Sequence, residues 1–398
     1  LVLPLKYPKT LTFVTYKPEI IKRMKIAFDA KRAAQNRTGL GNYSRFVIEG
    51  LSRYCPENKY LLYTPNERKA KLLGNLSQQE NCVVCYPDKA IWKSLSSLWR
   101  VSGIKRQLQN DHPAIFHGLS NELPLGIERL KEIKSIVTIH DLIFLRYPNF
   151  YSYIDRNIYT YKFRRACQIA NSIIAVSECT KRDIIHYFDI PAEKIKVIYQ
   201  GCDESFLHPA DSGLKEEARK QYGLPEKYLL YVGSIESRKN LLLIAKALTK
   251  ASCDLPLVAI GKHTPYADTV LQYARENGLS NRLLMLHNVS FRYFPAIYQM
   301  ASLFIYPSFF EGFGIPILEA LNSKIPVIGA TGSCLEEAGG DHSIYINPEN
   351  EQELADAIDR VMANPTLQQE MIEKGTEYAA RFGQEILTRQ MMEHYLSL

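Results

Sequence analysis

The sequence predicts an α/β protein of two doubly wound, Rossmann-like domains that face each other across a central cleft. Two observations carry this. Short apolar strands alternate with helical patterns along the chain, the signature of parallel sheets joined by crossover helices. The same grammar restarts after 201–213, a stretch with Pro209 and no periodicity that reads as a linker. A length of 398 residues fits two or three domains.

In the first half, strands are predicted at 24–29, 60–64, 82–86, 114–117, 135–139, 173–176 and 195–199, with helices at 41–54, 91–109, 153–170 and 179–188. In the second, strands fall at 228–232, 257–260, 283–287, 303–306, 326–328 and 344–346, with helices at 240–251, 266–277, 294–301, 316–322 and 351–363. The domains are expected at 24–203 and 209–375. Met24-Lys25-Ile26-Ala27-Phe28-Asp29 reads as a natural start running into a strand, so 1–23 is expected to be a leader outside the fold.

Hydrophobic content of 46% and charged content of 23% are those of an ordinary globular protein with ample core. No window approaches the roughly 18 apolar residues of a membrane span. The first 23 residues lack a signal-peptide core, so a cytoplasmic location is expected. Cys82 and Cys85 form a lone CxxC with no partner set for zinc, which favours a plain strand. Charge is uneven: +9 over 24–205, −6 over 206–398 and +4 over the leader. A basic first half suits an anionic acceptor or the inner membrane surface, and a merely solvated basic face accounts for it equally. No nucleic-acid motif accompanies it.

The richest segment is 304–328. A strand ends at Pro307, a loop carries Glu311, and Gly312, Phe313 and Gly314 lead into a helix that carries Glu319. Unpaired amides and the positive dipole end at such a helix N-terminus suit an anion. Pro316 fits the first helical turn. Two glutamates flanking the turn can accept hydrogen bonds from sugar hydroxyls while the amides hold phosphate, the chemistry of a nucleotide-sugar site.

This Glu-Gly-Phe-Gly-x-Pro-x-x-Glu run resembles the hallmark of the family-4 glycosyltransferases of GT-B fold. The resemblance implies retaining transfer of a hexose from a nucleotide diphosphate sugar (GDP- or UDP-linked) to a glycan or lipid-linked saccharide. It implies that Glu311 holds the donor sugar, Glu319 the ribose, and Phe313, Gly314 and Ile315 the donor at the turn. It also implies that the last helix, 376–396, crosses back onto the first domain.

In Tyr231-Val-Gly-Ser-Ile-Glu-Ser-Arg-Lys-Asn240, Arg238 and Lys239 stand at a helix N-terminus, against the dipole. A dianion between them would offset that cost, and the resemblance implies the donor diphosphate. Many members carry Arg directly after the glycine, where this chain has Ser234. Gly39 and Gly41, in a glycine loop opening a helix, can admit phosphate or sugar close to backbone. Ser44 replaces the third glycine of a dinucleotide fingerprint.

His140 and Asp141 end a buried-type strand, where a histidine is either structural or functional; the resemblance places His140 against the donor sugar. His117, Asn121 and Glu122, at another strand end, are acceptor candidates. Trp92 and Trp99 lie on the 91–109 helix among basic residues, which fits a membrane-surface helix or a helix packed on the sheet. The 329–337 segment can line the nucleotide pocket. No Asp-x-Asp occurs, so neither metal nor other cofactor is expected, and Lys239, Arg238 and turn amides would stabilise the leaving group. A nucleotide-sugar epimerase and a non-catalytic nucleotide-sugar binder are the alternatives.

Overall fold

The computed structural model describes residues 23–398; the expected leader, 1–23, lies outside the described residues but for Arg23. Strands β1 (Lys25–Asp29), β2 (Lys59–Tyr63), β3 (Cys82–Cys85), β4 (Ile115–Gly118), β5 (Lys134–Ile139), β6 (Ser172–Ala175) and β7 (Ile195–Val197) form one sheet, in the order β3-β2-β1-β4-β5-β6-β7. Strands β8 (Leu229–Val232), β9 (Leu257–Ile260), β10 (Leu283–Leu286), β11 (Leu303–Tyr306), β12 (Val327–Ala330) and β13 (Ile344–Ile346) form the other, ordered β10-β9-β8-β11-β12-β13. All pairings are parallel, with Ile26 opposite both Tyr60 and Ile115, and Phe304 opposite both Leu230 and Val327.

Parallel strands covered on both faces must be apolar throughout, which is why they read as unbroken runs. Phe28, Phe116, Val137, Leu230 and Phe304 are wholly buried. Each such side chain contributes about 1.5–3 kcal/mol of transfer free energy. Both sheets reverse their winding at one point, between β1 and β4 and between β8 and β11. In open sheets of this kind ligand crevices form at such a point, outside the carboxyl ends of the strands.

Several helices begin where a short polar side chain caps them. Ser177 accepts from the Thr180 amide to start Glu178–Phe188, Asp211 from Gly213 to start Ser212–Tyr222, and Asn364 from Leu367 to start Pro365–Ala379. Left-handed Asp189 and Gly223 end the first two.

The structure corrects three expectations. The linker is not featureless: Glu204–Leu207 forms a turn of 3-10 helix and Ser212–Tyr222 begins inside it. The 91–109 helix is broken into Ala90–Ser94, Ser96–Leu98, a π-helical turn Trp99–Gly103 and Ile104–Asp111. Leu95, at φ −101° and ψ 43°, marks the first break, and Trp92 and Trp99 close over Gly103. The 376–396 segment is the end of Pro365–Ala379, a 3-10 turn and a separate helix, Gln384–Leu396, started by extended Gly383.

That last helix lies on the first lobe. Gln384 donates to the Phe46 carbonyl (3.1 Å), and Gly50 leaves room for Thr388 where any Cβ would collide. A cavity of about 800 Å³ opens at the other ends of β1, β4 and β5, lined by Lys25, His112 and Lys131 among others. None of the candidate residues borders it.

Candidate active site

Building the second lobe's crevice starts with Asn240. In a left-handed conformation (φ 61°), it ends the short turn Ser237–Lys239, and its amide donates to the carbonyls of Pro307 (3.2 Å) and Pro348 (2.7 Å). That pins the turn from β8 against the loop from β11. Arg238 Nη1 thereby comes within 3.0 Å of Glu311 Oε1, and Lys239 Nζ within 3.7 Å. Lys239 also donates to the Tyr306 hydroxyl (2.9 Å), which in turn donates to Glu311 (3.0 Å). Ser308 donates to the same carboxylate oxygen (2.9 Å).

Burial pushes the Glu311 carboxyl up, but Lys239, Arg238 and the two hydroxyls outweigh it and hold the group below its ordinary range. Glu311 is therefore an anion. Among the described residues, every hydrogen bond its carboxylate accepts goes to Oε1, leaving Oε2 for another donor. Arg238 is further tied to Glu236 (2.8 Å) and to the Phe310 carbonyl. The two cations' counter-charge is thus partly the protein's own.

Glu319 sits differently. Its helix, Ile315–Asn322, begins at Gly314, whose φ of 125° suits only glycine. The half-buried carboxylate accepts one hydrogen bond, from the Tyr298 hydroxyl (2.7 Å), and no cation lies within ion-pair reach among the described residues. Burial outweighs that bond and raises its pKa to about 7. Phe313 is buried against Tyr199 and Phe382, so its ring joins the lobes. Ile315 is half-buried at the helix start.

From the first lobe, the end of β5 reaches this crevice. A Cβ on Gly312 would stand 2.1 Å from the His140 carbonyl oxygen, so the Glu311–Gly312 backbone touches the His140–Asp141 backbone because residue 312 is glycine. The His140 ring is buried, edge-on to Tyr43 (4.7 Å), with Nε2 donating to the Leu119 carbonyl (2.9 Å) and Nδ1 accepting from Gln200 (3.2 Å). Burial lowers its pKa to about 4, so it is neutral. Asp141 follows His140 at the same strand end. Half-buried beside Gly312, its carboxyl is pushed up by burial, which the Ile143 amide and Arg238 partly offset.

Three first-lobe candidates have other employment. His117 is wholly buried between the Tyr395 hydroxyl (2.6 Å) and Thr138 (2.8 Å), and burial lowers its pKa to about 3. It fastens the last helix to β4, with both ring nitrogens engaged inside the protein. Asn121, left-handed at φ 63°, accepts from the His140 amide (2.8 Å) and positions that strand end. Gly41 donates to the Thr38 carbonyl, and a Cβ there would overlap the Asn36 carbonyl, so close packing explains this glycine. Gly39 faces open space.

Glu122 remains accessible, bound to Arg100 (2.7 Å) and Lys162 (3.2 Å); Arg100 also pairs with buried Asp29 (2.7 Å) at the end of β1. Neither Asp29 nor Arg100 carries a local motif. They lie 71 positions apart, and the sheet order alone unites them. The 329–337 segment does not line the crevice throughout: Glu337 crosses to the first lobe and accepts from the amides of Glu178 (2.7 Å) and Cys179 (2.8 Å).

With this geometry in hand, comparison with known proteins is direct. Residues 215–378 match the family model "Glycosyl transferases group 1", and 48–206 match "Glycosyltransferase Family 4". The chain is 25% identical over 401 residues to O-antigen chain mannosyltransferase B of Escherichia coli, covering 98% of this chain and 97% of that protein. It is 28% identical over 261 residues to O-antigen chain mannosyltransferase RfbU of Salmonella typhimurium, covering 66% and 69%. Among solved structures, Anabaena Alr3699/HepE in complex with UDP and glucose superimposes with a TM-score of 0.72 at 19% identity, covering 94% of this chain and all of that one. Two family models that together span most of the chain, a relative aligned end to end, and paired parallel sheets with the Glu311 and Glu319 crevice between them lead to one conclusion: the chain belongs to the family-4 glycosyltransferases of GT-B fold.

Proposed function

We propose that this glycosyltransferase is a retaining, metal-independent hexosyltransferase of cell-surface polysaccharide synthesis, acting from a GDP- or UDP-hexose on a glycan or lipid-linked saccharide. Mannose is favoured, because the two relatives above are O-antigen mannosyltransferases. The observation that carries the reading is the Arg238–Lys239–Glu311 cluster in the second crevice, set against His140 of the first lobe.

In this reading Lys239, Arg238 and the turn amides at Gly314 and Ile315 balance the pyrophosphate, an arrangement whose dipoles need no reorganisation during the reaction. Glu311 Oε2 accepts a hydroxyl of the donor sugar, and Glu319 accepts the ribose hydroxyls. His140 Nδ1 exchanges Gln200 for a sugar hydroxyl. The bond from the anomeric carbon to the phosphate oxygen breaks with its electron pair leaving on phosphate. The acceptor oxygen bonds to that carbon from the same face, and its proton passes to the departing phosphate oxygen. Glu122, with Arg100 and Lys162, stands on the acceptor side.

No helix among the described residues is long and apolar enough to cross a membrane. Exposed Ile91, Leu98, Tyr153, Ile154 and Tyr161, on segments rich in Lys and Arg, favour peripheral contact with an anionic membrane surface for a lipid-linked acceptor.

The test is incubation with GDP-mannose and UDP-glucose, with and without polysaccharide acceptors, reading nucleotide release and product stereochemistry. Acceptor-dependent release with a retained anomer supports the reading. Isomerised donor without acceptor supports an epimerase, and a thermal shift with no turnover of any donor supports a binder.

A further inference from the structure

A second contact between the lobes lies outside the donor crevice and is better built than its position requires. Glu337 lies on the short helix Leu335–Gly339, after β12 in the second lobe. Its Oε2 accepts from the Glu178 amide and its Oε1 from the Cys179 amide, the first two N–H groups of the eleven-residue helix Glu178–Phe188 in the first lobe. Those donors have no partner within their own helix, and the helix dipole favours an anion there. Neighbouring Glu336 stays in its own lobe, accepting from Thr331 (2.6 Å).

The same helix end touches both halves of the donor crevice. Ser177, its cap, donates to the Gly312 carbonyl (2.8 Å), and Thr180 donates to the His140 carbonyl (3.2 Å). Beneath them Ile143, Cys179, Phe310 and Cys334 are buried together across the lobes, with the Arg146 guanidinium over the Phe310 ring (4.7 Å). One helix turn therefore binds Glu337 and Gly312 from one lobe and His140 from the other.

We infer that Glu337 is a positioning residue for the transfer reaction: by capping the opposite lobe's helix it draws the Glu311–Gly312 loop against His140 and so assembles the donor-sugar end of the site. The inference rests on the reading of that loop as the donor site for its kinetic arm only. Lobe closure is a two-state equilibrium biased by contacts made only in the closed state. Removing a contact lowers the closed fraction, and apparent donor affinity falls in proportion.

The experiment compares wild type with Glu337→Ala, Glu337→Gln and Glu336→Ala by small-angle scattering, without ligand and with GDP or UDP, and by steady-state kinetics on the active donor. Glu337→Ala is expected to have a larger radius of gyration, closing partway on addition of nucleotide, and a donor KM raised about tenfold with kcat within about twofold. Glu337→Gln, which keeps one acceptor oxygen, is expected to fall between, and Glu336→Ala to match wild type. Should Glu337→Ala fail to fold, the Gln variant decides by the same readings. Wild-type scattering and KM in the Glu337 variants overturn the inference. If no donor is turned over, scattering still decides it, because that arm needs no substrate.

Discussion

The two crevices are built from the same topology and use their polar residues in opposite ways. In the first, His117 and Asn121 stand at strand ends where ligands bind, yet both are engaged inside the protein: the His117 ring by Tyr395 and Thr138, and Asn121 Oδ1 by the His140 amide. In the second, Lys239, Arg238 and Glu311 crowd together, and among the described residues the Glu319 carboxylate accepts only from Tyr298. Matched polar groups at a strand end fasten the fold; concentrated or undercompensated charge marks where a substrate is awaited.

Substitutions should separate the two crevices. Glu311→Gln is expected to lower the transfer rate about a hundredfold, since charge-assisted hydrogen bonds contribute roughly 1.5–3 kcal/mol and about 1.4 kcal/mol is a factor of ten. Single-turnover kinetics on the active donor would check this, and full activity would remove Glu311 from the site. Lys239→Ala is expected to cost about ten- to a hundredfold by the same reasoning, visible also as weaker nucleoside diphosphate binding by calorimetry.

Glu319 gives a pH signature. Its carboxyl is raised to about 7, so it ionises only above that pH, and only the ionised form accepts two ribose hydroxyls. Donor KM is expected to be about tenfold higher at pH 6 than at pH 8, a dependence that Glu319→Gln abolishes. The sign for stability is opposite. The unfolded chain ionises this carboxyl at about 4.5 and the folded chain only at about 7, so folding stability falls as pH rises from about 4.5 to about 7 and is level above that. Melting curves of the ligand-free protein from about pH 4.5 to about pH 7 would show it against the Gln variant.

His117→Leu is expected to have the smallest effect on transfer. It should lower stability by about 1–3 kcal/mol, because buried Tyr395 loses its partner and Thr138 keeps only Tyr43, while acceptor KM stays within about twofold. A large KM change with unaltered melting would reverse the assignment for the first crevice.

Some of this was legible in residue order and some was not. The thirteen strands are legible because a strand buried on both faces must be an apolar run, and Leu303–Tyr306 or Leu257–Ile260 fit little else. The break within 91–109 was not, since Leu95 leaves the helical region and Trp99–Gly103 winds as a π-helical turn with Trp92 and Trp99 packed on Gly103. Leu335–Gly339 escaped notice because five residues show no periodicity. Arg238, Lys239, Glu311 and Glu319 were found because local segments carry them, whereas Asp29 with Arg100 and Glu337 with Glu178 are distant pairs.

Sequence alone determined the alternation of strand and helix, the two-lobed plan and the charged residues of the second crevice, because burial and local backbone chemistry act on neighbours along the chain. Only tertiary structure decided that His117 is a fastener, that Gly41 yields to the Asn36 carbonyl, that Glu311 is ionised while Glu319 titrates near 7, and that Glu337 reaches the other lobe. The reason is physical: a side chain's protonation and partners depend on what the fold brings within a few ångströms of it, and those groups come from anywhere in the chain.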